Sequence, residues 1–165
     1  MMGEHTDKVV LPDEVADAFR SSAVTTLCEL TQFESIVEKN PQAISLENHI
    51  VAVVRLMRHV PGKLILALLP QAAAELAERY LPDSTELTDE MIDDVMGEFA
   101  NVIAGQAKTI LKGTPYHFTL SIPVVSHVMQ GAEVSALAGA ALVASLVFDS
   151  SRLLLLLDLT ACPGA

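Results

Sequence analysis

Two apolar runs constrain the fold of this chain more than any other feature. Ala140 to Phe148 and Arg152 to Leu159 are apolar at nearly every position and are separated only by Asp149-Ser150-Ser151. A strand with one wet face alternates; a strand buried on both faces reads as an almost unbroken apolar run. The two segments therefore predict neighbouring strands in the middle of a covered sheet. The Ala-rich start of the first also admits a helix. A bilayer span needs about 20 residues. The longest uncharged apolar stretch, Val134 to Phe148, has 15, interrupted by Ser135 and Ser145 and with Gly139 inside, and Asp149 and Arg152 separate it from Leu153–Leu157.

The remaining segments supply helices and more strands. Leu11-Pro12-Asp13-Glu14 opens a helix, with Pro in the first turn and acids where the helix dipole favours them. Val15, Phe19, Ala23, Thr26 and Leu30 give it an apolar face, and it is expected to end between Cys28 and Leu30. Thr31 to Val37 suggests a short strand, and Glu38-Lys39-Asn40-Pro41 a turn. Ile44 to Met57 is rich in β-branched residues, Pro61-Gly62 makes a turn, and Lys63 to Leu69 is a second apolar run, which together read as a hairpin. Gln71 to Tyr80 is an Ala- and Glu-rich helix stopped by Pro82. Asp83-Ser84-Thr85 is a linker. Thr88, followed by Asp89 and Glu90, caps the longest helix, which ends near Leu111 or Lys112 at Gly113. Tyr116 to Ile122 alternates as a strand stopping at Pro123, and Val124 to Gln130 reads as an extended or loop segment with Gly131 as a break. The sum is an α+β fold, an antiparallel β-sheet packed against long α-helices. The length fits one domain over residues 1–165, with residues 1–10 a loose tail.

Charge narrows the partners. There are 21 Asp and Glu against 10 Lys and Arg, a formal net charge of −11. That argues against nucleic acid and anionic membranes, which need basic patches to replace counterions. It suits a partner presenting Lys or Arg. Cys28 and Cys162 lie far apart with no CxxC or Cys/His companion, as in a reduced cytoplasmic protein. The polar, acidic start from Met1 to Lys8 has no apolar segment behind a basic one, so no signal peptide is expected. His5, His49, His59, His117 and His127 show no metal-ligand spacing. No nucleophile elbow, phosphate-binding loop or Cys/His signature is present.

The chemistry concentrates in the longest helix. At 100° per residue, Asp94, Glu98, Asn101, Gly105 and Lys108, spaced +4, +3, +4 and +3, form one stripe. Met91, Val95, Phe99, Val102, Ile103 and Ile110 fall on the other side, toward the sheet. Gln106 lies toward that apolar side, where its amide is expected to satisfy a backbone group. Gly97 and Gly105 each cost about 1 kcal/mol against Ala in a helix. Gly105 removes bulk beside Asn101 and lets another surface approach the carboxamide. An acid and an amide at this spacing also occur by chance on solvated helices, so the pair alone decides little.

The wider run decides more. Asp94-x3-Glu98-x2-Asn101, then Gly105-Gln106-Ala107-Lys108-Thr109 and Ser121-Ile122-Pro123, resembles the CheX/CheC/FliY family of chemotaxis phosphatases, and CheX most of all. The resemblance is close over residues 89–125 and loose over 12–160. Here 21 residues lie between Asn101 and Pro123, one fewer than the family's spacing, and Gln106 stands where relatives commonly have Asn. CheC-type members carry two such motifs on pseudo-symmetric helices. The first helix here offers only Glu14-x-x-Asp17, without the carboxamide or a following glycine, so it reads as a degenerate half.

The resemblance implies hydrolysis of the phospho-aspartate of a response-regulator receiver domain such as CheY. It implies Asn101 as the residue that orients the attacking water and Glu98 as the one that engages the receiver's active-site Lys. It further implies Asp94 as a polar contact at the rim, Gly105 as the open approach and Pro123 as the residue that shapes the adjoining loop. A carboxamide suits the water, because its C=O accepts while its NH₂ donates nearby. The chain would bring no cofactor or metal of its own, with Mg²⁺ in the receiver, and would pair as a homodimer through its sheet. The near-continuous apolar strands at 140–159 fit an edge that needs cover. Two other readings remain open: a non-catalytic receiver-binding adaptor on the same fold, and an α+β homodimer with no receiver partner.

Overall fold

Each helix begins and ends on a local signal. In the computed structural model, which describes residues 11–38, 45–58, 62–83, 85–128 and 141–159, helix α1 spans Asp13–Thr31. It runs slightly past the expected end. Thr31 bonds back to the Leu27 carbonyl through its hydroxyl, and Gln32 at φ 60° turns the chain out while donating to Cys28. The strand expected over Thr31–Val37 therefore shrinks to β1, Ile36–Glu38. The hairpin forms as expected from β2 (Ile50–Arg58) and β3 (Gly62–Leu68). Helix α2 (Pro70–Tyr80) starts on its proline. Helix α3 (Asp89–Ile110) is capped by Thr88, whose hydroxyl accepts from the Met91 N–H at 3.2 Å. Gly113, at φ +82°, lies in the turn that follows.

The next segment departs from expectation. The strand read over Tyr116–Ile122 is only β4, Phe118–Leu120. The segment read as extended or loop contains a strand, β5, Val124–His127. Both pair antiparallel with β2: Leu56 faces Leu120, and Val53 faces Val124. Between those pairs two residues of β2 stand opposite three, Ser121-Ile122-Pro123. That surplus residue is a β-bulge, and Pro123, with no N–H to give the ladder, sits in it. Then come β6 (Ala141–Phe148) and β7 (Ser151–Leu159). β6 settles the Ala-rich segment as a strand over its described part.

All strand pairs are antiparallel, in the order β1-β6-β7-β3-β2, with β4 and β5 sharing the outer side of β2. The apolar runs are thus interior, not an edge awaiting cover: β1 lies outside β6 and β3 beside β7. Leu153, Leu155 and Leu157 face the helices, and Leu154 and Leu156 join Val51, Ile65, Ala67, Leu46 and Val128 in a second cluster on the other face. Burial on both faces explains why β7 has no alternation.

The order also contains a pseudo-two-fold. Exchanging α1 with α3, β1 with β4/β5, β2 with β6 and β3 with β7 returns the same sheet read backwards. α3 packs on α1, α2, β2 and β5. It buries Val95, Met96, Phe99, Ile103 and Ala104, while Met91 and Ile110, expected to face the sheet, are exposed at the helix ends. Phe99 meets Tyr80 edge-on at 5.7 Å, and Phe19 of α1 stacks on Phe118 of β4 at the same distance. Each of the three buried Phe rings stabilises by about 3–5 kcal/mol against Ala. These contacts hold α3 rigidly beside the bulge. The expected tail at 1–10, the turns at 38–41 and 61–62, residue 84 of the linker, Gly131 and Cys162 fall wholly or partly outside the described residues.

Candidate functional site

The 3.6-residue period that buries Phe99 and Ala100 leaves Asp94, Glu98 and Asn101 exposed on the opposite face. Among the described residues, none of the three makes a side-chain hydrogen bond or ion pair. An exposed carboxylate and carboxamide, one turn apart and uncommitted, can bond to an incoming group without first breaking a bond.

They line one wall of a groove of about 540 Å³. Asp93, Asp94, Glu98 and Asn101 form that wall, with Gly97 between them. The facing wall is Leu120, Ser121, Ile122, Pro123 and Val125, from β4, the bulge and β5. Ser121 locks the bulge to β2: its hydroxyl accepts from the Arg55 N–H at 2.8 Å, and its own N–H donates to the Arg55 carbonyl at 3.0 Å. Gly97 lies between the walls, but their approach does not depend on its missing side chain. A Cβ there would lie 3.7 Å from the Pro123 ring and 3.6 Å from Val125, ordinary packing distances. Three carboxylates make the groove acidic, and an imidazole partners one of them: His127 Nε2 meets Asp93 Oδ1 at 2.9 Å. That bond ties β5 to α3.

The structure therefore brings Asp94, Glu98, Asn101 and Pro123 together. Gly105 continues the same stripe one turn on but does not line the groove, and a Cβ there would meet nothing within 4 Å. Gln106 differs from expectation: its amide donates to the Glu29 carboxylate on α1 at 3.4 Å rather than to a backbone group. The Asp93–His127 pair and the Ser121 lock escaped sequence reasoning. Asp93 sits in the motif, but its partner is visible only once Val124–His127 is known to be a strand, which turns Val125 and His127 toward α3. Among the described residues, no group of three His, Cys, Asp or Glu side chains could hold a metal ion, and no helix is long and apolar enough to cross a membrane.

The family model described as chemotaxis phosphatase CheX matches residues 50–144, more than half of the chain. The chain belongs to the CheX family. The matched region runs from β2 into β6 and contains both walls of the groove. CheX from Vibrio vulnificus is similar in fold, with a TM-score of 0.71 and 17% identity over 88% of this chain and 96% of that one. CheX from Borrelia burgdorferi, in a complex with CheY, BeF₃ and Mg²⁺, gives 0.70 and 18% over 88% and 97%. FliY from Thermotoga maritima gives 0.61 and 19% over 90% and 91%. No curated relative matches the chain.

Proposed function

We propose that this CheX-family chain hydrolyses the phospho-aspartate of a CheY-like receiver domain, with the chemistry on α3. Asn101 holds the attacking water in line with the leaving oxygen, and Glu98 engages the receiver's active-site Lys. One observation carries this: Glu98 and Asn101 stand exposed, unpaired and one helical turn apart in the same groove. The water oxygen bonds to phosphorus as the bond from phosphorus to the aspartyl oxygen breaks. The carboxylate leaves, and the water's protons end on inorganic phosphate or solvent. An acyl phosphate is already reactive, and the receiver brings Mg²⁺ and Lys to neutralise the phosphoryl oxygens, so positioning is what remains to be supplied. This chain adds no cofactor or metal. Asp94 supplies a polar contact at the rim, Gly105 leaves room for the receiver, and Pro123 shapes the bulge.

The Borrelia burgdorferi complex with CheY supports a receiver as partner. On this reading the chain acts in the cytoplasm, where it would meet its receiver. The chain also forms a homodimer on this reading, which the exposed Ile36 on edge strand β1 supports; sedimentation at micromolar concentration tests it. The fold shared with FliY favours one alternative, an adaptor that binds a receiver without hydrolysis. The deciding experiment is loss of phosphate from phosphorylated receivers of the same genome with wild type and Asn101→Ala. Acceleration by wild type alone supports the phosphatase; binding without acceleration supports the adaptor.

A further inference from the structure

The groove has two unlike walls, and the acidic, amide-bearing one explains only half of it. Opposite stands an apolar wall whose tip, Ile122, is 85% exposed, the most exposed large apolar side chain among the described residues. Single apolar residues are common on surfaces and need no explanation. Ile122 differs in two respects. It lines the same groove as Glu98 and Asn101. It is also held out by a built device, the bulge, which Ser121 pins to Arg55 through two hydrogen bonds and Pro123 closes. Bulges of this kind re-aim a side chain beside a site.

We infer that Ile122 is the apolar anchor of the receiver interface and sets which receiver this chain accepts, an inference that rests on the function proposed above. The occupant is a phosphorylated receiver domain with an apolar recess beside its acyl-phosphate pocket. Charge complementarity supports this occupant: the unpaired Asp94 and Glu98 suit a receiver that presents a Lys, while Ile122 stands on the facing wall. Interfaces concentrate affinity in a few desolvated apolar anchors surrounded by polar contacts.

The test uses the full chain as wild type, Ile122→Ala and Ile122→Glu. Steady-state hydrolysis is followed with the phosphorylated receiver that wild type turns over fastest. Ile122→Ala should raise KM about ten-fold and leave kcat within two-fold, and Ile122→Glu should raise KM further. Thermal midpoints should not move, since the side chain is exposed. An unchanged KM, or a fall in kcat at constant KM, overturns the inference. Direct binding to a receiver loaded with BeF₃⁻ and Mg²⁺ separates this from the catalytic reading. If wild type binds but does not hydrolyse, the phosphatase assignment fails, yet a ten-fold weaker Ile122→Ala still supports the anchor. Equal binding by both overturns it.

Discussion

Helices α1 and α3 occupy equivalent places across the pseudo-two-fold, and their outward faces treat similar acids in opposite ways. On α3, Glu98 and Asn101 are exposed and uncommitted beside a bulge that carries Ile122. On α1, Asp17 is bound by Arg20 at 2.7 Å. The same Arg20 donates through Nε to the Val143 carbonyl at 2.8 Å. Val143 is the surplus residue of a second bulge, in β6 between Leu142 and Ala144. On that face Asp17 is therefore paired from within and Arg20 mends an irregular strand, while Glu14 stays exposed. The other is left unsatisfied. A paired acid has less to offer a partner than an unpaired amide and carboxylate one turn apart, and α1 carries no carboxamide beside Glu14.

The comparison can be broken by substitution, the largest effect first. Asn101→Ala should slow dephosphorylation of the receiver about 100-fold or more while leaving affinity for it within about two-fold, because positioning is lost and docking is kept. Loss of affinity at unchanged turnover would reverse the roles given to Asn101 and Glu98. Glu98→Ala should weaken binding about ten-fold and lower hydrolysis with it, since a charge-assisted contact to Lys is removed; titration of the BeF₃⁻-loaded receiver and the rate assay read the two separately. On the other helix, Arg20→Ala should leave hydrolysis unchanged and cost about 1 kcal/mol of stability by denaturant unfolding, since the Val143 carbonyl loses a donor. The paired change Glu14→Ala with Asp17→Ala should alter stability by about 1 kcal/mol or less and hydrolysis not at all. A loss of activity in that last variant would mean that α1 carries a working half after all.

Much of this was legible in the residues. The helix α3, its Thr88 cap and its polar stripe follow from period and capping chemistry, which act over a few residues. So does the hairpin of β2 and β3. The illegible parts depend on pairing at a distance. Val124–His127 reads only as extended or loop because Pro123 breaks the local pattern, yet β2 offers both β4 and β5 the same free edge. Met91 and Ile110 carry the right periodicity but lie at the helix ends, beyond the reach of the sheet. Gln106 finds Glu29 because α1 lies alongside, 77 residues away in sequence.

The sequence by itself determined which residues stand together on α3, since Glu98 and Asn101 are neighbours on any helix that buries Phe99. It also determined that the two C-terminal apolar strands lie in the sheet's interior, since no other place hides Leu153 to Leu157 on both faces. Only the tertiary structure decided what those residues confront. Whether an acid ends up paired, as Asp93 is by His127 34 residues on, or uncommitted, as Glu98 is, depends on which strand or side chain the fold carries within about 3 Å of it. Hydrogen bonds are short, and the chain that completes them is distant in sequence.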